Sequence, residues 1–379
     1  MGYQLSLGWE EKLQGFKYIE GIQELLRVLR PVGTERDRAH NRQFFFDQYV
    51  SLLLLYFFNP IVDSLRGLQK ATALKKVQKQ CGGQPVSLAA LSEAAAAFKP
   101  EALRKVFREL AGKAFPVILP RDREALRTLT AVDGSLLPAL SRMVWALWKD
   151  ATHRAVKLHL HFEVARGIPV DASLTAGQDS EVGQLRTHLE AGRLYVLDRG
   201  YAAYALLEAI INAKASFIVR VKANIAYVLQ QEREITLQAQ AAGVLRDVLV
   251  SRLGSDHRPQ LVTHPVRLLE IKSGYGTILL VTDQLTMDAD LIALAYRYRW
   301  TVELFFRWLK CVLGCRHWLG HSFHAVQIQV YAALIASLLL VIWTGRKPNK
   351  RTFEMFCLYF AGWATAEELH DHLEKLPTG

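Results

Sequence analysis

The stretch KLHLHFEV at residues 157–164 alternates strictly between polar and apolar side chains. Leu158, Leu160, Phe162 and Val164 fall on one side, and Lys157, His159, His161 and Glu163 on the other. A period of two belongs to a β-strand with one face in a core and the other in water. The four polar residues are therefore expected on an exposed strand face. Arg166-Gly167 then supplies a hairpin turn, and IPVDASLT (168–175) returns as the partner strand.

The same punctuation continues on both sides. Upstream, LRTLTAVDGS (126–135) reads as a strand that ends at Asp133 and turns at Gly134. Downstream, a helix over about 180–191 leads into the strand LYVLD (194–198). A helix over RGYAAYALLEAIINAKA (199–215) and the strand SFIVRVK (216–222) follow. Strands mixed with helices in this order imply an α/β fold, a mixed sheet with helices on its faces. Asp133 and Asp198 then stand at the carboxyl ends of two strands, where open α/β sheets place their chemistry.

The flanks have other characters. Residues 1–115 read as a helical domain, with Ala and Leu recurring through SLAALSEAAAAFKPEALRKVFRELAGKA (87–114) and Pro100 near a helix start. In 223–286, short runs such as RDVLVSRL, PVRLLEI and TILLVTD are broken by Gly, Asp, Ser and Pro, which marks a β-rich insertion. The expected layout is a helical domain at 1–115 and a core at 116–222 and 287–345. The insertion occupies 223–286, and a basic break (RKPNKR, 346–351) with a helical tail fills 346–379.

Composition narrows the class of function. With 51% hydrophobic and 22% charged residues among 379, the chain is globular rather than disordered. Forty-seven Lys plus Arg against 36 Asp plus Glu leaves +11, a surplus that favours a polyanionic partner, nucleic acid before membrane. Cys81, Cys311, Cys315 and Cys357 are too scattered for a disulfide framework, so a reducing cytosol is expected. Cys311 and Cys315 with His317, His321 and His324 evoke a zinc site, but the cysteines lie one helical turn apart rather than in a short knuckle, and packing roles are expected. The opening MGYQLSLGWEEKLQ lacks the apolar core of a signal peptide. FFFDQYVSLLLLYFFNP (44–60) and VYAALIASLLLVIWTG (330–345) read as helices buried on all sides, not membrane spans.

The segment YRYRWTVELFFRWLK (296–310) has no Gly or Pro and reads as part of one helix over about 288–313. Tyr296, Arg299, Glu303, Arg307 and Lys310 are spaced 3, 4, 4 and 3, which puts them on a single stripe, while Arg297 falls off it. Such a stripe is either a solvated face with i,i+4 ion pairs or a site that holds metal and phosphate. A strand-ending aspartate is likewise a turn residue or a ligand. Together, Asp133, Asp198 and Glu303 make a trio of hard oxygen donors able to hold two Mg²⁺ ions about 4 Å apart for in-line attack on a phosphodiester.

With these residues in order, the chain resembles a bacterial cut-and-paste transposase of insertion-sequence family four, with a DDE ribonuclease-H-like core. The family signature Tyr-x2-Arg-x3-Glu-x6-Lys is matched by Tyr296, Arg299, Glu303 and Lys310. LDRGY (197–201) and AVDGS (131–135) resemble the family's two aspartate stretches, and KLHLHFEV, SEVGQLR (180–186) and FIVRVK extend the likeness. The resemblance implies catalytic metal ligands at Asp133, Asp198 and Glu303, two Mg²⁺ ions with Mn²⁺ able to substitute, and phosphate contacts at Tyr296, Arg299 and Lys310. Arg199, Tyr201 and Arg307 are further DNA-contact candidates. It also implies transposon ends and target DNA as partners, a homodimer on DNA, no membrane association and a bacterial cytoplasmic location near the nucleoid. A flipped base would need a stacking aromatic; with no Trp between Arg199 and Arg299, Tyr227 and Tyr275 are candidates. A structure-selective nuclease with the same core and a catalytically silent, transposase-derived DNA-binding protein are the alternatives.

Overall fold

The computed structural model describes residues 25–34, 41–81, 83–114, 124, 126–150, 152–254, 262–274, 276–311, 314, 317–347 and 349–375. In chain order, α1 (Phe46–Phe58), α2 (Leu65–Thr72), α3 (Lys75–Cys81), α4 (Leu88–Ala97) and α5 (Pro100–Lys113) precede β1 (Leu129–Pro138), β2 (Ala155–Glu163) and β3 (Ile168–Ala176). Then come α6 (Glu181–Thr187), β4 (Leu194–Leu197), α7 (Tyr204–Asn212), β5 (Ser216–Val221) and β6 (Tyr227–Glu232). After these lie α8 (Leu237–Ala241), β7 (Val244–Leu253), β8 (Val266–Ser273) and β9 (Gly276–Thr282). The last helices are α9 (Ala289–Tyr298), α10 (Trp300–Cys311), α11 (Phe323–Thr344), α12 (Lys350–Ala361) and α13 (Ala366–Glu374). Two compact units result, one of residues 116–136 and 146–306, the other of 1–115, 137–145 and 307–379.

The first unit holds most of a nine-stranded mixed sheet in the order β3-β2-β1-β4-β5-β9-β8-β7-β6. β1, β4 and β5 run parallel, and α6 and α7 lie in the connections between them. From β5 outward through β9, β8, β7 and β6 every pairing is antiparallel. The strands of 223–286 thus extend the same sheet, since β9 pairs with β5 residue for residue from Ile218↔Thr282 to Val221↔Leu279.

The strand read from KLHLHFEV is present, and Gly167 closes its hairpin at φ +65°. Its polar face, however, is not exposed: His159, His161 and Glu163 are all buried. β2 lies inside the sheet, and side chains from β3, β4 and the residues after α6 cover that face. The His159 Nε2 is 2.8 Å from Thr175 Oγ1, and the His161 ring meets those of His188 and Tyr195 edge-on. Glu163 accepts from Arg166 at 2.7 and 2.8 Å and from Arg193 at 2.9 Å. Alternation identified the strand but not what roofs it.

Burial pushes His159 and His161 down to about 4, with Lys157 and His188 adding to the effect on His159. Asp171 and Glu190 pull His161 the other way, and Arg193 and His188 oppose them. An unfolded histidine titrates near 6.5, so between about pH 6.5 and 4 the unfolded chain binds more protons than the folded one. Stability is therefore expected to fall as pH drops through that window, by up to about 3 kcal/mol per histidine. Urea unfolding at pH 7, 6 and 5 measures this; a flat midpoint would show that both rings titrate normally.

In the second unit, α11 runs 22 residues between its N-cap Ser322, whose hydroxyl accepts from Ala325 N, and Gly345 at φ +63°. Its 18-residue apolar window has a mean hydropathy of 2.2 and is 89% buried inside the protein. A helix apolar all round needs neighbours on every side; α1, α4 and α5 pack on it, with Phe58 meeting Trp343 and Phe107 meeting Tyr331. The segment 307–345 therefore sits in the same compact unit as the N-terminal helices rather than with the sheet, whose unit ends at Phe306.

Candidate active site

β1 and β4 pair in parallel as Leu129↔Leu194, Thr130↔Tyr195 and Ala131↔Val196. The pairs end at Ala131↔Val196; continued for two more residues, the same register would bring Asp133 level with Asp198. Asp198 directly follows β4 and caps the short helical turn Arg199–Tyr201. Asp133 is not a strand end: β1 continues through Gly134 to Pro138. Gly134 makes no turn, and its N–H donates to Asp133 Oδ1 at 2.8 Å. What requires glycine there is close approach. A Cβ would lie 2.7 Å from Cδ and Oε1 of Glu181.

The helix expected over 288–313 is two helices, α9 and α10, joined at Arg299. The Arg299 N–H bonds to the Tyr296 carbonyl and that of Val302 to the Arg299 carbonyl, both i−3 contacts that tighten the helix at the junction. At this break Arg299 is 7% exposed, and its guanidinium lies over the rings of both Tyr296 and Trp300. Its Nη1 reaches Glu303 Oε1 at 2.8 Å, while its buried Nε has no partner. The Tyr296 hydroxyl lies 3.4 Å from Asp198 Oδ1, a long hydrogen bond. Tyr296, Arg299, Glu303 and Asp198 thus form one connected chain of contacts.

Asp133 joins that chain electrostatically. Burial, with the charges of Glu181 and Glu303, raises its carboxyl to about 6 against the opposing pull of the Gly134 amide and Arg299. Tyr201 is 2% exposed, and burial together with Glu181, Asp133 and Asp198 holds its hydroxyl well above the usual tyrosine range. Arg199 is exposed. Arg307 is exposed and Lys310 half-buried, both on α10 one and two turns beyond Glu303. Arg297 bonds the Ala242 carbonyl instead. Tyr227 is half-buried and receives a hydrogen bond from Arg246 at 3.0 Å, whereas Tyr275 lies outside the described residues. Cys315 and the Cys311 side chain also lie outside them.

Among the described residues no three His, Cys, Asp or Glu side chains converge as a preformed metal site. The Glu303 carboxylate is paired with Arg299 instead. Two residues at this site escaped the sequence reading. Glu181 sits inside SEVGQLR, where nothing in the pattern distinguishes it from a helix-start acid. Trp300 lies inside the charged stripe's own segment yet is 56% exposed, beside the equally exposed Leu304.

Residues 124–339, more than half of the chain, match the family described as a transposase DDE domain. The chain belongs to this family. Among curated proteins it is 32% identical over 223 residues to a putative transposase, y4zB, of Sinorhizobium fredii. It is 29% identical over 238 residues to a probable transposase for insertion sequence element IS5377 of Geobacillus stearothermophilus. These alignments cover 58% and 61% of this chain and 62% and 61% of the relatives, so the chain spans about six-tenths of the length of the curated relatives it matches. A piggyBac transposase synaptic complex with hairpin DNA aligns at a TM-score of 0.43 and 11% identity, over 99% of this chain and 84% of that one, too distant a likeness to define the fold. The DDE transposase match encloses Asp133, Asp198, Glu303 and every neighbour just described.

Proposed function

We propose that this DDE transposase-family chain cuts DNA at the terminal inverted repeats of its own insertion sequence and transfers the cut strands. The single observation that supports this reading is the parallel β1–β4 register, whose continuation runs to Asp133 and Asp198, with Tyr296 of the Tyr296–Arg299–Glu303 chain 3.4 Å from Asp198. The order β3-β2-β1-β4-β5 supports a ribonuclease-H-like core, and the Tyr296, Arg299, Glu303 and Lys310 spacing supports membership of insertion-sequence family four.

Asp133, Asp198 and Glu303 would hold the metal ions. The donor chemistry fits: all three offer hard oxygens, and Asp133 lies buried among like charges that a divalent cation would offset. Bound there, a pair of Mg²⁺ or Mn²⁺ ions would activate a water or 3′-hydroxyl nucleophile and neutralise charge on the leaving oxygen. Arg299 is the group that must change partner, since its fork engages Glu303 now and suits a phosphate equally well. Tyr296 holds Asp198 in place through its hydroxyl. Lys310 and Arg307, further along α10, would grip the DNA backbone, joined by the exposed Arg199. Trp300 offers the exposed indole on which an extruded base would stack, a better surface than half-buried Tyr227. A homodimer would hold two transposon ends together in the bacterial cytoplasm.

The test is incubation of the full chain with linear DNA carrying the element's terminal repeats, with Mg²⁺ or with a chelator. Breaks at the repeat ends that vanish with chelator are expected. End-specific binding with no breaks would make the protein a silent DNA binder, and breaks indifferent to the repeats would make it a nuclease.

A further inference from the structure

Glu181 is an acid that the Asp133–Asp198–Glu303 assignment leaves unused. It is the first residue of α6, and Ser180, not Glu181, caps that helix by accepting from Gly183 N. Its carboxylate turns toward β1 and meets that strand at Gly134, where a Cβ would lie 2.7 Å from Cδ and Oε1. Side chains alternate along a strand, so this contact lies on the face opposite the Asp133 side chain. Glu181 is therefore no partner of Asp133 in holding a ligand. What it touches is the backbone that carries Asp133.

Three elements converge on that carboxylate. From β1 comes Gly134, whose amide donates to Asp133 Oδ1 at 2.8 Å and so fixes that acid. From β2 comes Lys157, with its Nζ 3.4 Å from Oε1 and tied to the Asp179 carbonyl at 2.9 Å. From the turn after β4 comes the buried Tyr201, whose hydroxyl donates to Glu181. Tyr201 in turn closes its helical turn on Asp198, its N–H donating to the Asp198 carbonyl at 3.0 Å. One side chain thus reaches both the residue that holds Asp133 and the residue that closes on Asp198. The β1–β4 ladder ends at Ala131↔Val196, two residues before either acid, so strand pairing itself stops short of them.

We infer that Glu181 is a positioning residue: by bracing Tyr201 against Gly134 it fixes the spacing of Asp133 and Asp198, and it touches no ligand itself. This rests on the reading of Asp133 and Asp198 as the acids that hold the cations. Tyr201 is then a strut behind the sheet rather than a DNA contact.

Two measurements on the full chain test this. One is Mn²⁺ titration followed by loss of the free-ion electron paramagnetic resonance signal; the other is the single-turnover rate of end cleavage in Mg²⁺. Glu181→Ala should weaken Mn²⁺ binding about tenfold or more, as loss of an outer support does. It should slow cleavage about 100-fold, the scale of a misplacement of about 1 Å. Tyr201→Phe, which loses one oxygen and keeps the packing of the ring, should do the same even where Glu181→Ala fails to fold. The two changes together should be no worse than either alone, since both cut one link. Glu181→Gln keeps an oxygen that accepts from the hydroxyl and should restore most of both quantities. Wild-type Mn²⁺ affinity and cleavage in Glu181→Ala and Tyr201→Phe, with only the thermal midpoint lowered, would make Glu181 a packing residue and overturn the inference. Equal losses in Glu181→Gln and Glu181→Ala, with Tyr201→Phe like wild type, would place the effect in the charge and overturn it too. Wild-type Mn²⁺ affinity in Asp133→Asn would instead overturn the metal assignment of Asp133 on which this inference rests.

Discussion

Replacing Asp133 with asparagine is expected to abolish strand cleavage, by ~10³-fold or more (about 4 kcal/mol in the barrier), while the protein still binds the transposon ends. The amide keeps the size of the carboxylate and can still accept from the Gly134 N–H, so the local backbone should not move. What it removes is the charge that a cation needs. The same substitution should raise, not lower, the thermal midpoint of the metal-free protein near pH 7. In the native chain Asp133 is half-buried beside Glu181 and Glu303, and its carboxyl is held near 6 rather than its ordinary value. An ionised group in that setting destabilises the fold, and a neutral amide does not. Asp198→Asn should lose activity to the same floor, and the double variant should be no worse, because residues that act as a unit are non-additive. Wild-type cleavage by Asp133→Asn in Mg²⁺ would end the two-metal reading, and a lowered midpoint would show that the aspartate is a structural residue.

The second large effect lies in the sheet. Arg267, 1% exposed, pairs through both Nε and Nη2 with the buried Asp247 carboxylate across β7 and β8. Its Nη1 donates to the carbonyls of Gln284 and Met287, in the segment between β9 and α9. Arg267→Ala would leave the buried Asp247 carboxylate with only the longer, partly exposed contact to Arg233 Nε at 3.6 Å, so it should destabilise the chain by about 3 kcal/mol. Urea unfolding measures it. Arg267→Met with Asp247→Leu should recover most of that loss, because both charges then leave the interior together. A single variant that unfolds like wild type would mean the pair is solvated. Because Arg267 also ties down the start of α9, the double variant should be stable yet impaired in cleavage, with Tyr296 and Arg299 less firmly held.

Much of this molecule was legible in its residues because the signals are local. The period of two in 157–164, the glycine at 167 and the aspartate following Leu197 depend only on neighbours in the chain, and each gave the right element; the strand end read at Asp133 did not, since β1 runs on to Pro138. The strand-rich character of 223–286 was equally plain, but not that β9 would pair with β5 and make it one sheet, because strand partners are chosen by long-range packing. The continuous helix over 288–313 was misread for a different reason. No Gly or Pro marks the break at Arg299, where the backbone tightens into i−3 hydrogen bonds around a guanidinium packed on Tyr296 and Trp300.

The sequence by itself therefore determined the order of elements, the basic surplus, and the identity of Asp133, Asp198 and Glu303 as the acids of interest. Tertiary structure alone decided that Lys157, His159, His161 and Glu163 would be covered rather than solvated, since a covering segment from elsewhere in the chain is not encoded in a strand's own alternation. It also decided that Gly134 would be a close-approach residue and not a turn, because the reason for that glycine is a carboxylate 47 positions away along the chain and 2.7 Å from its missing Cβ.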